Sequence, residues 1–277
     1  MVSRLLTLLG FLALVSLATV VRADPSVRGP LSEEQFNQII DKTVAHFVPV
    51  ADSFQSYFSI SKLWDDPSFQ AGSSKLGLRW VLVMFGGLAR RPEMSEDAFA
   101  LIICHEIGHI IGGAPFSPFS KMSVEGQADY FATATCAKVI WENEDAVNAT
   151  FADKVPEEMK TECDQAYETV QERNLCYRSV VGILTMVETM KYLAKQRLGH
   201  EVVVDFLSPD LSEVEATIVR YPSTQCRLDT SLAGALCNKP VDPSIIGASD
   251  SEQEERYCSL TRDERFGRPR CWFMPVF

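Results

Sequence analysis

Residues 95–111 read SEDAFALIICHEIGHII, and the rest of the chain is best read outward from them. Ser95 offers an N-cap, Glu96 and Asp97 suit the positive end of a helix, and Gly112-Gly113 stops it. The flanks of the His-Glu segment are apolar on both sides, so the spacing predicts a buried helix. It is too short, and too interrupted by His and Glu, to span a membrane. His105 and His109 stand one turn apart on one face, and Glu106 is rotated by about 100° from His105.

Two imidazoles at that spacing can grip one zinc ion, and a glutamate beside them can take a proton from the water that the ion polarises. The plain alternative is a surface pair of histidines with a solvated glutamate. Against it, a buried helix carrying these groups without a partner is costly, and two of the chain's four histidines fall in this one motif. A catalytic zinc takes a third protein ligand and keeps one position open. Glu125 is the candidate, at the start of a second predicted helix over residues 123–141 (SVEGQADYFATATCAKVIW). Asp129 lies one turn later, where it can accept the Nδ1–H of a liganding histidine, His105. Acids are common at helix starts, which accounts for Glu125 but not for Asp129 in a segment turning apolar. The expected cofactor is one Zn2+ per chain.

Upstream, residues 31–47 are expected to form a helix capped by Ser32, and residues 50–75 mostly loop. Residues 78–85 (LRWVLVMF) read as a strand. Trp80, Val81, Leu82, Val83, Met84 and Phe85 are expected on an edge strand above the metal helix, where an extended peptide substrate would add to the sheet. Downstream, residues 156–172 and 175–198 read as two helices, and from about residue 208 the chain is rich in turns and cysteines. His46 and His200 read as ordinary helix or surface histidines. Asn148-Ala149-Thr150 is a glycosylation sequon.

The N-terminus has the pattern of a secretory signal peptide: Arg4, an apolar run from Leu5 to Val21, and Val21-Arg22-Ala23 as cleavage site. Its removal deepens the formal net charge from −11 to −13, because Arg4 and Arg22 leave with it. Such a balance disfavours nucleic acid and anionic membrane. With 46% hydrophobic and 23% charged residues, the 277-residue chain can build a sizeable core. The expected division is a signal peptide at 1–23, a catalytic domain at 24–232 and a cysteine-containing segment at 233–277. Eight cysteines behind a signal peptide point to disulfides. Among the 105 possible connectivities, sequence neighbours suggest Cys163–Cys176, Cys226–Cys237 and Cys258–Cys271. That leaves Cys104 with Cys136, tying the two metal-site helices together.

HExxH followed by a glutamate in an ExxxD helix resembles the glutamate-zincin peptidases, and the arrangement is similar to the HtpX-like and CAAX-prenyl-endopeptidase family. The matching stretches are VLVMFGGLARRPEMSEDAFALIICHEIGH (81–109), Glu125–Asp129, and Tyr221-Pro222-Ser223-Thr224-Gln225-Cys226-Arg227. In that family the last motif begins with histidine, and the segment between its first two motifs is longer. The resemblance implies that Tyr221 donates to a developing oxyanion and that Arg227 holds the segment through an acid.

The expectation is therefore an α+β, mostly helical, zincin-like metallopeptidase with a small sheet and a disulfide-clamped C-terminal segment. It would be a secreted zinc endopeptidase acting on extracytoplasmic peptides or proteins, with no membrane span after signal cleavage. The alternative is a latent or non-catalytic zinc-binding protein that acts as a binder or chaperone.

Overall fold

The computed structural model describes residues 29–258 and 266–275; the expected signal peptide at 1–23 lies outside them. The architecture is α+β and mostly helical, as the sequence predicts. Helix α1 (Glu33–Ala45) starts at a Ser32/Gln35 capping box and buries Phe36, Ile40 and Val44. A short α2 (Val48–Ser53) leads into β1 (Tyr57–Leu63), β2 (Ala71–Leu76) and β3 (Arg79–Phe85). One turn, α3 (Gly86–Ala89), precedes the central helix α4 (Glu96–Ile111).

Twelve of the sixteen residues of α4 are buried, which is what a helix apolar on most faces requires. The sheet, α1, the next helix and the long α9 all pack around it. That next helix is α5 (Glu125–Phe131), followed by a π-helical turn at Ala132–Cys136 and α6 (Ala137–Trp141). Beyond it come α7 (Asp145–Asn148), α8 (Glu157–Ala166) and α9 (Val170–Leu198). The break between α8 and α9 falls earlier than the sequence suggests. Thr169 and Glu172 form a capping box, so α9 begins at Val170. The C-terminal part holds α10 (Thr224–Leu236) and α11 (Asp250–Arg256). Helix α10 crosses the expected domain boundary at 232/233.

Two expectations about the sheet are corrected. Residues 50–75 are not mostly loop, because they supply α2, β1 and β2. The strand at Trp80–Phe85 is not an edge. It lies in the middle of a three-stranded sheet of order β1-β3-β2, parallel to β1 and antiparallel to β2. Its backbone is paired on both sides, and Trp80, Leu82 and Met84 enter the core. The strand richest in large apolar residues takes the central place, and β1 and the polar β2 form the two edges.

The disulfides are Cys104–Cys136, Cys163–Cys176, Cys226–Cys271 and Cys237–Cys258. The first two agree with the sequence reading and the last two replace it. Cys226 lies in the first turn of α10 and Cys237 caps its end. Eleven helical residues separate them by roughly 16 Å, far beyond disulfide reach. Four disulfides fit a chain that folds in an oxidising compartment. No described helix is long and apolar enough to cross a membrane. The sequon at Asn148 is closed off, since that side chain is buried, donates to the Trp141 carbonyl and accepts from Arg178.

The C-terminal segment is built into the core. Trp272 is fully buried and its indole lies against Gly126, where an added Cβ would come within 2.3 Å of the ring. A Gly126→Ala variant is therefore expected to lose about 1–3 kcal/mol in urea denaturation, with a shift in tryptophan emission. Gly72→Ala, which would meet nothing within 4 Å, is the control and should change little.

Candidate metal centre

Helices α4 and α5 approach closely because position 108 carries no side chain. A Cβ there would sit 2.9 Å from the Ala128 carbonyl oxygen. Across this contact, one ligand atom each from His105, His109 and Glu125 lies within 4.8 Å of the others.

Both imidazoles are held from behind. His105 Nδ1 lies 2.8 Å from Asp129 Oδ1, and His109 Nδ1 lies 2.8 Å from the Ser123 carbonyl oxygen. The Ser123 oxygen can only accept, which sets a proton on His109 Nδ1, and a neutral His105 with its proton toward Asp129 would likewise turn an Nε2 lone pair inward. His105 Nε2 is 3.3 Å from Glu125 Oε2, and His109 Nε2 is 3.7 Å from Glu125 Oε1. A tetrahedral ion with ligands at about 2.0–2.1 Å would set neighbouring donor atoms roughly 3.4 Å apart. Glu125 Oε2 is also buried without a hydrogen-bond donor. Two Nε2 atoms turned toward Glu125 and an orphaned carboxylate oxygen fit a divalent cation, which would take the place of the proton on His105.

The electrostatics point the same way. Burial opposes a charge on His105, yet Asp129 and Glu125 outweigh it and raise its pKa to about 10. Burial likewise opposes ionisation of Glu125, but His105 and then Arg227 lower its pKa to about 2. Asp129, despite complete burial, is held well below the usual carboxylate range by Arg227 and His105. The site stabilises positive charge between its acids.

Arg227 comes from the first turn of α10 and grips Asp129 with two hydrogen bonds, Nε to Oδ2 and Nη2 to Oδ1, both 2.7 Å. Both sequence-level suggestions for this pair therefore meet in one chain, Arg227–Asp129–His105. The Glu106 carboxylate lines the same cleft, where the Ser73 hydroxyl donates to its Oε2 at 2.9 Å. Tyr221 also lines the cleft, with the Arg197 and Arg227 guanidinium groups 5.2 and 5.6 Å from its ring centre. The Glu125 carboxylate raises its pKa, so the phenol keeps its proton and remains a donor.

Trp80–Phe85, expected to meet substrate, are not brought to the cleft. Gln70–Ser73, at the start of β2, line it instead. Ser73 and Ser123 were not expected. Ser73 sits in a segment read as loop, and Ser123 acts through its backbone, which no side-chain motif reveals. His46 is exposed and remote, while exposed His200 reaches only the cleft wall. No described residue after Arg227 lines the cleft.

Removing Arg227 would leave a buried carboxylate unpaired. Arg227→Met is expected to cost about 3–5 kcal/mol in urea denaturation. The double variant Arg227→Met/Asp129→Leu should be less destabilised than Arg227→Met alone. Comparison with protein-family models, with curated proteins and with solved structures finds no match to this chain.

Proposed function

We propose that the chain is a zinc-dependent endopeptidase that cleaves extracytoplasmic peptides or proteins. One observation carries this reading: two imidazoles with Nε2 toward Glu125 share its carboxylate, while Glu106, a carboxylate that the ligand set does not need, stands beside them in an open cleft. A purely structural site has no use for that fourth group. The motif resemblance to the HtpX-like family agrees with it.

His105, His109 and Glu125 would hold the ion. When bound, zinc lowers the pKa of a coordinated water to about 7 and polarises a carbonyl. Glu106 takes the proton from the attacking water as its oxygen bonds to the scissile carbonyl carbon. The same carboxyl then gives that proton to the amine nitrogen as the C–N bond breaks, leaving a carboxylic acid, whose remaining proton passes to the amine or solvent, and an amine. The Ser73 hydroxyl fixes the orientation of Glu106 through its hydrogen bond. Tyr221 offers a phenolic hydrogen to the carbonyl oxygen as it gains charge. Asp129 and Arg227 act through His105 by fixing its tautomer.

An extended substrate would lie along β2, whose other side pairs with no strand among the described residues. This is the role that the sequence assigned to the neighbouring strand.

Elemental analysis is expected to find one zinc per chain in both wild type and Glu106→Gln. Hydrolysis of unfolded casein is expected from the wild type alone, with the variant reduced by at least about 100-fold. Equal activity in the two proteins would remove Glu106 as the base, and absence of zinc from both would remove the reading altogether. Ser73→Ala should keep its zinc and lose about tenfold or less in kcat, the scale of one hydrogen bond.

A further inference from the structure

The end of α9 brings to the cleft a cation that no acid of the fold neutralises. Ala194 lines the cavity, and Arg197, three residues on, continues that face and lines it too. Gly199 closes the helix in the left-handed conformation, at φ 77°, so Arg197 stands in its last turn. The chain leaves α9 through His200, which lines the same wall.

The other cations of this region are spoken for. Lys191 pairs with Glu188, Lys195 with Glu201, and Arg227 with Asp129. Two acids line the cavity, Glu106 and Glu125; the first accepts from Ser73 and the second faces the two imidazoles. Exposed Arg197 makes no hydrogen bond and no ion pair among the described residues. Its guanidinium instead lies 5.2 Å from the ring centre of Tyr221. In a chain with 37 acidic and 26 basic residues, an arginine left without a carboxylate is not explained by a shortage of partners. An aromatic ring steadies a guanidinium without using its N–H groups, which stay free to form a fork for a planar anion.

We propose that Arg197, seated on Tyr221, is a specificity-determining residue that receives a carboxylate side chain of the substrate. The enzyme would then prefer sequences with glutamate or aspartate at one fixed distance from the scissile bond. The inference rests on the endopeptidase reading. Its physical basis is that guanidinium and carboxylate meet in plane through two charge-assisted hydrogen bonds. An acidic side chain elsewhere in the cleft would face Glu106 or Glu125, whereas a basic one at Arg197 would meet its own charge.

The test begins with a mass-spectrometric profile of cleavage sites in unfolded casein, dephosphorylated so that phosphoserine does not compete. Wild type is expected to enrich aspartate and glutamate at one position relative to the cut. Arg197→Met should lose that enrichment, and Arg197→Glu should replace it with lysine and arginine. The most frequent site is then made as an acetylated, amidated peptide, once with its acid and once with the corresponding amide. Both are titrated calorimetrically into the zinc-loaded Glu106→Gln protein, which holds them uncut. The acid peptide should bind roughly tenfold more tightly, the scale of a charge-assisted pair. That ratio should fall to about one when Arg197→Met is added, and Arg197→Lys, which keeps the charge without the fork, should lie between. No enriched acid position in wild type, an enrichment that survives in Arg197→Met, or equal binding of the two peptides would overturn the proposal and leave the endopeptidase reading standing. Tight binding that needs a free C-terminus rather than the acidic side chain would assign Arg197 to a terminal carboxylate, and would overturn it as well. Failure of zinc-loaded wild type to cut casein at all would overturn both.

Discussion

A carboxylate with no access to water, Asp129, is the constraint on which the centre of this molecule depends. An isolated charge there would be prohibitively costly. It persists because Arg227 meets both of its oxygens and His105 meets one of them. Three elements are thereby locked together: α4 through His105, α5 through Asp129 and α10 through Arg227. The orientation of an imidazole in the candidate site is thus a by-product of solving a burial problem, which couples stability to the geometry of the ligands.

The same economy extends to the end of α4. Its Gly112 carbonyl accepts from the side-chain amides of Gln127 and Gln253, one from α5 and one from α11. Arg268, also fully buried, joins Gln127, Glu254 and the Ala114 carbonyl and lies over the Phe273 ring. These contacts use side chains from the last tenth of the chain to satisfy polar groups beside the helix that bears both histidines. The C-terminal segment is a buttress behind α5, on the side away from the cleft.

Much of the centre could be read from the sequence because the signals there are local. Ser95, the apolar flanks and the one-turn spacing of His105 and His109 describe a single helix. Glu125 and Asp129 repeat the same spacing on the next one. What escaped the sequence depends on tertiary choice. The β-branched and aromatic run at Trp80–Phe85 announces a strand, but only the sheet order decides that it is central and that the polar AGSSKL run is an edge. The Cys226–Cys271 and Cys237–Cys258 pairing was hidden because α10 separates two neighbours in sequence by its own length. The backbone oxygen of Ser123 behind His109 leaves no trace in residue identity at all.

The span between Asp129 and Arg227 has a consequence for biogenesis. The two partners lie 98 residues apart, and Trp272, which packs behind Glu125, lies farther still. A chain synthesised N-terminus first presents His105, Glu106 and His109 well before the residues that fix them are made. Until α10 and the segment around Cys271 have emerged and docked, Asp129 has no guanidinium partner and α5 has no support. The candidate ligand set is therefore assembled late, only once α10 and the segment around Cys271 have been made and docked.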